Sequence, residues 1–166
     1  HQTALNFLFD YVAKKGKLDE DLALKLHGIL MNGIRPDAGS YRDHAVRIVG
    51  VNLPMANYLS VPKLMPEVMA RAAKKSNDII ALSAEVHSRF EQIHPFSDGN
   101  GRVGRLIMSA MLLQANSAPA IIREQRKRLY YTYLNKAQVK NDSSQLEDFL
   151  CDAIMDGYAI LDRKGQ

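Results

Sequence analysis

The run His94-Pro95-Phe96-Ser97-Asp98-Gly99-Asn100-Gly101-Arg102, followed after Val103 and Gly104 by Arg105, decides how the rest of this chain reads. It gathers an imidazole, a carboxylate, two glycines flanking an amide side chain, and two guanidinium groups. Leu106, Ile107, Met108, Ala110, Met111, Leu112 and Leu113 follow directly and predict a buried helix ending near Ala115. A glycine-rich turn feeding a helix start leaves main-chain N–H groups unpartnered at the positive end of the helix dipole. Phosphate is held well in such a place. With a base and a candidate metal ligand in the same turn, the segment reads as a phosphate-handling active site.

Most of these residues have a chemical reading and a plainer one. Pro95 pushes His94 out of helical geometry and into the loop. Imidazole suits proton transfer near neutral pH, so His94 is the candidate general base; a hydrogen-bonding cap of the loop is the alternative. Asp98 beside an anion nest implies a cation, because a bare carboxylate about 4 Å from phosphate costs roughly 4 kcal/mol at an effective dielectric near 20. Mg²⁺ bridging carboxylate and phosphate oxygens removes that repulsion, whereas an Asx turn would also explain Asp98-Gly99. Gly99 and Gly101 permit close backbone approach, and Asn100 offers a donor amide between them. Arg102 and Arg105 share a helix face and carry the fork that matches phosphate oxygens; for Arg105 a surface ion pair is the alternative. Phe96 reads as an anchor that buries the loop, with base stacking as the other option. His87 lies on a face similar to that of His94, but without a cysteine or a third ligand nearby it makes a poor metal pair. His1, His27 and His44 have no partners in sequence.

Outward from the loop, the dominant period is helical. Leu5, Leu8, Phe9 and Val12 mark one stripe, with Gly16 as its left-handed stop. Asp19 opens a second helix carrying Leu22, Leu26, Ile29 and Leu30, closed by Gly33. Pro36 to Tyr41 has loop composition. The stretch from Ala45 to Pro54 is different: β-branched residues crowd around Gly50, the only convincing strand or hairpin signal in the chain. A helix from Val61-Pro62 to about Lys74 places Leu64, Val68 and Met69 inward. Ser76 or Asn77 is expected to cap the next, with the stripe Ile79, Leu82, Val86, Phe90 and Ile93. Asn116 to Pro119 is a turn, Arg123 to Gln138 reads as helix, and Ser144-Gln145-Leu146-Glu147 is a capping box for the last.

At 166 residues the chain is read as one domain, with a composition ordinary for a globular protein and no apolar stretch long enough to span a bilayer. One cysteine, Cys151, excludes an internal disulfide and suits a reducing, cytoplasmic setting. A net charge of +4 falls short of a nucleic-acid footprint. The densest basic run, Arg123, Arg126, Lys127 and Arg128 beside Tyr130, Tyr131 and Tyr133, reads as a solvated face or as a rim that attracts phosphates.

From His94 to Arg105 the chain matches the pattern His-Pro-Phe-x-(Asp/Glu)-Gly-Asn-Gly-Arg-x-x-Arg, and it resembles the Fic domain family. Leu26-His27 ahead of Gly39-Ser40-Tyr41-Arg42, the Val46–Leu53 segment and Tyr130-Tyr131 extend the resemblance over most of the chain. It implies an all-α, Fic-type helical bundle over residues 1–166, with a small β-hairpin flap at about 45–54 beside an active-site loop at 94–102. It also implies Mg²⁺-dependent transfer of AMP from ATP to a Ser, Thr or Tyr hydroxyl of a target protein. His94 would deprotonate that hydroxyl, and Asp98 would hold Mg²⁺ on the α- and β-phosphates. The Gly99–Gly101 backbone and Asn100 would form the anion hole, Arg102 would grip the β-phosphate and Arg105 would orient the γ-phosphate. Arg47, Ile48, Val49, Gly50 and Val51 would be the flap that pairs with an extended piece of the target. Tyr131 and Gln138 fall where relatives contact adenine, Gln138 standing where they often carry Asn.

Family members are commonly restrained by a helix with (Ser/Thr)-x-x-x-Glu-(Gly/Asn), and no Glu here is followed by Gly or Asn. The expectation is that this helix lies upstream of His1, or comes from a separate antitoxin. Self-modification is a further expectation. Phosphate transfer by the same site is the nearest rival; that branch carries Lys at the position of Gly101. Removal of AMP and a non-enzymatic nucleotide-binding module are the others.

Overall fold

The computed structural model describes residues 2–47 and 55–164, and among these the regular elements are all helical, with no strand. The expected β-hairpin, with Ile48, Val49, Gly50 and Val51, lies outside the described residues. Arg47 is described: it is exposed and belongs to no regular element.

Helix α1 (Gln2–Ala13) buries Ala4 and Leu8, but Phe9, read as part of its stripe, is 48% exposed. The left-handed stop is taken by Lys15, at φ 55°, and not by Gly16. Gly16 answers a different need: a Cβ there would sit 2.2 Å from the Tyr11 ring. Asp19 caps α2 (Glu20–Met31) by accepting from the Leu22 N–H, and Gly33 lies just past its end at φ 73°, as its composition predicts. Helix α3 (Val61–Ala72) starts on Pro62 and buries Val68 and Met69. Helix α4 (Ile79–Ile93) is capped by Asp78, one residue after the expected pair, because Ser76 instead accepts the Asp78 N–H through its hydroxyl. Helix α5 (Asn100–Gln114) follows the motif loop, and α6 (Lys127–Lys140) follows a short 3-10 turn at Glu124–Arg126. The last helix, α7 (Ser144–Lys164), already includes the expected cap residue Ser144, whose N–H donates to the Asp142 carboxylate; Ser143 bonds Glu147 through its hydroxyl to the carboxylate and through its carbonyl to the N–H.

Helices α4 and α5 form the central pair. Packing against them, α1, α2 and α3 build one apolar cluster around Leu22, Leu26, Met65, Met69, Phe90 and Phe96. On the opposite face, α6 and α7 close a second cluster around Leu112, Tyr130, Phe149 and Leu150. Each fully buried side chain of this size contributes about 1.5–3 kcal/mol. The loop carrying the motif therefore leaves one central helix and enters the other, so its two ends are fixed by the best-packed part of the fold.

The basic run meets carboxylates. Arg123 forms a two-pronged pair with Asp156 at 2.8 Å, Arg126 reaches Asp152 at 2.8 Å and covers the Phe149 ring, and Lys127 pairs with Glu124. Arg123 and Arg126 thus tie the turn leading into α6 to α7, and their charge is met there and not offered to phosphate. Among the described residues no helix is long and apolar enough to cross a membrane.

Candidate active site

His94 sits at the end of α4 with φ 52° and ψ 62°, a left-handed conformation that is strained for a residue with a Cβ, above all before proline. Arg42 holds it there. The Arg42 N–H donates to the Pro95 carbonyl at 2.9 Å and its Nε to the His94 carbonyl at 2.7 Å. The rest of the guanidinium reaches the carbonyls of Ile93, His44 and Ala56. Arg42 is only 4% exposed and has no carboxylate partner among the described residues. Its charge is met by the carbonyls at the negative end of α4, and burial draws its pKa below the usual arginine value.

The His94 ring has its tautomer set by geometry. Nδ1 lies 3.2 Å from the Glu91 carbonyl, which can only accept, so Nδ1 carries the proton and Nε2 keeps its lone pair. Burial, with Arg42 adding a like charge, lowers the His94 pKa. The imidazole is therefore neutral at neutral pH and able to take up a proton.

The loop beyond is braced from within. Asn100 is 2% exposed; its Oδ1 accepts the Phe96 N–H and its Nδ2 donates to the Phe96 carbonyl, both at 2.8 Å. The expected donor amide is thus turned inward, and only the Asn100 main chain is left for an anion. Phe96 is fully buried, as an anchor, and stacks on His27 with ring centres 3.9 Å apart. His27 Nδ1 accepts the Gly39 N–H at 2.9 Å, so its proton is on Nε2, which donates to the Asp98 carbonyl.

At the mouth, Gly99 takes φ 80° and starts α5. The Arg102 and Val103 N–H groups fold back on the Gly99 carbonyl, which leaves the Asn100 and Gly101 N–H groups without intrahelical acceptors. Asp98 Oδ1 accepts the Gly99 N–H at 2.6 Å, a bond to the next residue and not the bond two residues on that an Asx turn makes. Its Oδ2 remains directed toward Arg102, 3.7 Å away, and the side chain is 59% exposed. One carboxylate at an anion-binding mouth fits Mg²⁺, which takes its remaining ligands from phosphate and water. Among the described residues no group of three or more acidic, histidine or cysteine side chains could hold a metal without such help. Arg105 has no ion pair among the described residues, and a Cβ on Gly101 would lie 3.2 Å from its Nη1.

His94, Asp98, Gly99, Asn100, Gly101, Arg102, Arg105 and Tyr131 line one open cavity of about 260 Å³. Gln138 is not among them. It donates to the Ser88 carbonyl and lines a cavity of about 380 Å³ shared with Ser88, Arg89 and Gln92 of α4.

Sequence reasoning gave no role to His27, Arg42 or Glu91. A signal existed for Glu91: Ser83, His87 and Glu91 recur every four residues on α4, and all are buried. His87 Nε2 is hydrogen-bonded to the Tyr130 hydroxyl, and burial lowers the His87 pKa to about 4. Glu91 is 7% exposed with Oε1 unpartnered, and burial raises its pKa to about 7.

Comparisons with known proteins point one way. The Fic/DOC family profile matches residues 17–112. A Nematostella vectensis protein named protein adenylyltransferase Fic is 35% identical over 130 residues, covering 76% of this chain and 30% of the relative. An Aquifex aeolicus protein named probable protein adenylyltransferase is 31% identical over 129 residues, covering 77% and 39%. This chain thus spans less than half the length of these curated relatives. Among solved structures, a Fic domain-containing signalling protein of Bacteroides thetaiotaomicron superposes with a TM-score of 0.83 at 21% identity, covering 93% of this chain and 66% of that one. A BepC effector of Bartonella tribocorum, with AMPPNP bound, gives 0.69 at 20% identity, covering 92% and 86%.

Proposed function

The chain belongs to the Fic/DOC family, and from that premise and the geometry of its motif loop we propose that it transfers AMP from ATP to a hydroxyl group of a protein. The observation that carries this reading is the His94 tautomer. A donor Nδ1 bound to the Glu91 carbonyl leaves Nε2 as a base in the cavity where Arg105 and two free N–H groups await an anion.

In the proposed reaction the phosphate chain lies against the Asn100 and Gly101 N–H groups at the start of α5, with Arg102 and Arg105 on its outer phosphates. His94 Nε2 accepts the proton of a Ser, Thr or Tyr hydroxyl as that oxygen attacks the α-phosphorus. The bond between the α-phosphorus and the bridging oxygen breaks, and pyrophosphate leaves. Asp98 is the residue that would hold Mg²⁺, which when bound neutralises phosphate charge. Fixing the reactants in line and stabilising charge account for most of such a transfer. The nucleoside would lie between α4 and α6, past Tyr131 and toward Gln138. The 45–54 segment, with Arg47 at its start, would present the target.

The test is incubation with ATP labelled at the α- or at the γ-phosphate. Protein-bound label from the α-position alone, lost in His94→Ala with nucleotide binding kept, is the expected result. Label from the γ-position would mean phosphate transfer, the chemistry against which Gly101 already argues.

A further inference from the structure

A carboxylic acid buried one layer beneath an anion-binding turn calls for an explanation, and the transfer reaction does not use it. Glu91 lies on the face of α4 that packs against the first turns of α5. Gly104 makes room for it: a Cβ at that position would come within 2.5 Å of Glu91 Oε1, and a Cβ on Gly101 would lie 4.0 Å from the same atom. Oε1 has no hydrogen-bond partner. The charged or titratable groups facing it are Arg105 from α5, Tyr130 from α6 and His87 from α4 itself; none from α3 or α7 shifts it. Arg105 Nη1 and Glu91 Oε1 both lie within 4.0 Å of the place a Cβ on Gly101 would take, yet they form no ion pair among the described residues, so Arg105 has a buried carboxylate close by and stays open to phosphate at the mouth.

Resting on the nucleotide reading of the loop, we propose that Glu91 is a positioning residue for Arg105, whose ionised carboxylate competes with the terminal phosphate for that guanidinium, so that the triphosphate binds with uptake of a proton by Glu91. The physical argument is electrostatic. A buried carboxylate is held ionised chiefly by its cation, and burial pushes Glu91 up to about 7 even though Arg105 pulls the other way. Engaging Arg105 with phosphate and bringing further negative charge to the mouth of α5 both favour the neutral acid. His87 is kept neutral by burial and Tyr130 keeps its proton, so neither supplies a substitute charge.

The sign follows by linkage. A group that must be protonated in the complex weakens binding about tenfold per pH unit above its free pKa and has no effect well below it. The experiment is calorimetric binding of AMPPNP in excess Mg²⁺ from about pH 6 to about pH 8.5, in buffers of different ionisation enthalpy, on wild type and Glu91→Gln. The expected result is an uptake of about half a proton by wild type near pH 7 and a Kd that rises toward higher pH. Glu91→Gln should lose both that uptake and that rise, and should bind tighter than wild type at the alkaline end. Gly104→Ala, which crowds the carboxyl out of its notch, should behave likewise and is the second variant should the first fold poorly. Equal uptake and equal pH dependence in wild type and in the folded variants would overturn the role of Glu91 while leaving the site intact. Absence of nucleotide binding by wild type would overturn both.

Discussion

Two sets of arginines divide this molecule. Along the α6–α7 seam Arg123 and Arg126 each meet an aspartate at 2.8 Å. Around the motif loop Arg105 forms no ion pair among the described residues, and the nearest acid to Arg102 is Asp98 at 3.7 Å. The seam holds the denser basic sequence, yet its charge is spent on neighbours. At the loop the charges are few but open, next to unpaired N–H groups and a neutral histidine. On the proposed function the anion site is marked by cations the fold leaves unpaired, while Arg123 and Arg126 of the basic run serve the architecture.

The sharpest way to break this contrast is His94→Ala. Loss of a positioned base lowers a transfer rate by roughly 10²–10⁴-fold, so α-label incorporation should fall by that factor while nucleotide affinity stays near wild type. A pH profile refines the point. The His94 pKa lies below the ordinary histidine value because of burial. The limb of activity due to His94 should therefore rise with pH below that ordinary value and be flat above it, since the neutral base is the active form.

Arg42→Met probes the strain. It removes the donors for the part-buried carbonyls of His94, His44 and Ala56 and for the buried carbonyl of Ile93. An unsatisfied buried group costs about 1–3 kcal/mol, so chemical denaturation should show a loss of that order. His94 should then relax from its left-handed conformation, and kcat should drop by roughly 10²-fold with less change in KM. Arg42→Lys should not rescue it, because an ammonium cannot span carbonyls spread around a planar fork. A variant of either kind with normal kcat would show that the loop holds itself.

The opposite cluster offers the matching control. Gly157 of α7 lets the Pro119 carbonyl approach so closely that a Cβ would lie 2.2 Å from it. Gly157→Ala must move backbone, and should lower stability by about 1–3 kcal/mol. Activity per folded molecule should be unchanged, because no residue of the loop touches that contact.

The same division explains what was legible beforehand. Apolar period and caps such as Asp19 reveal the helices because they are local. The loop is legible because its residue types are rare in combination. The one-residue shift to Asp78 goes with Ser76, whose hydroxyl is engaged with the Asp78 main chain, an arrangement made by the folded backbone. The inward turn of Asn100 was hidden, since an amide between glycines looks the same whether it faces a ligand or its own loop. Arg42 and His27 are joined to the site across long chain separations, to Ile93, His94 and Asp98. No spacing rule reaches that far. Glu91 was readable in principle, as an acid in register with buried Ser83 and His87, but only if a polar period is sought as carefully as an apolar one.

The smallest effect tests the seam directly. Asp156→Ala removes the partner of Arg123, and both side chains reach solvent, at 49% exposure for Arg123 and 27% for Asp156. Water replaces such a partner at little cost, so the thermal midpoint should move by no more than about 2 °C. The variant also frees a guanidinium on the very run that the sequence offers as a phosphate rim. If that rim were real, uncovering Arg123 would tighten nucleotide binding; with the loop as the anion site, the Kd for AMPPNP should stay put. A minor change in stability joined to an unchanged affinity is therefore what separates a charge that merely fastens two helices from one that is held open for a ligand.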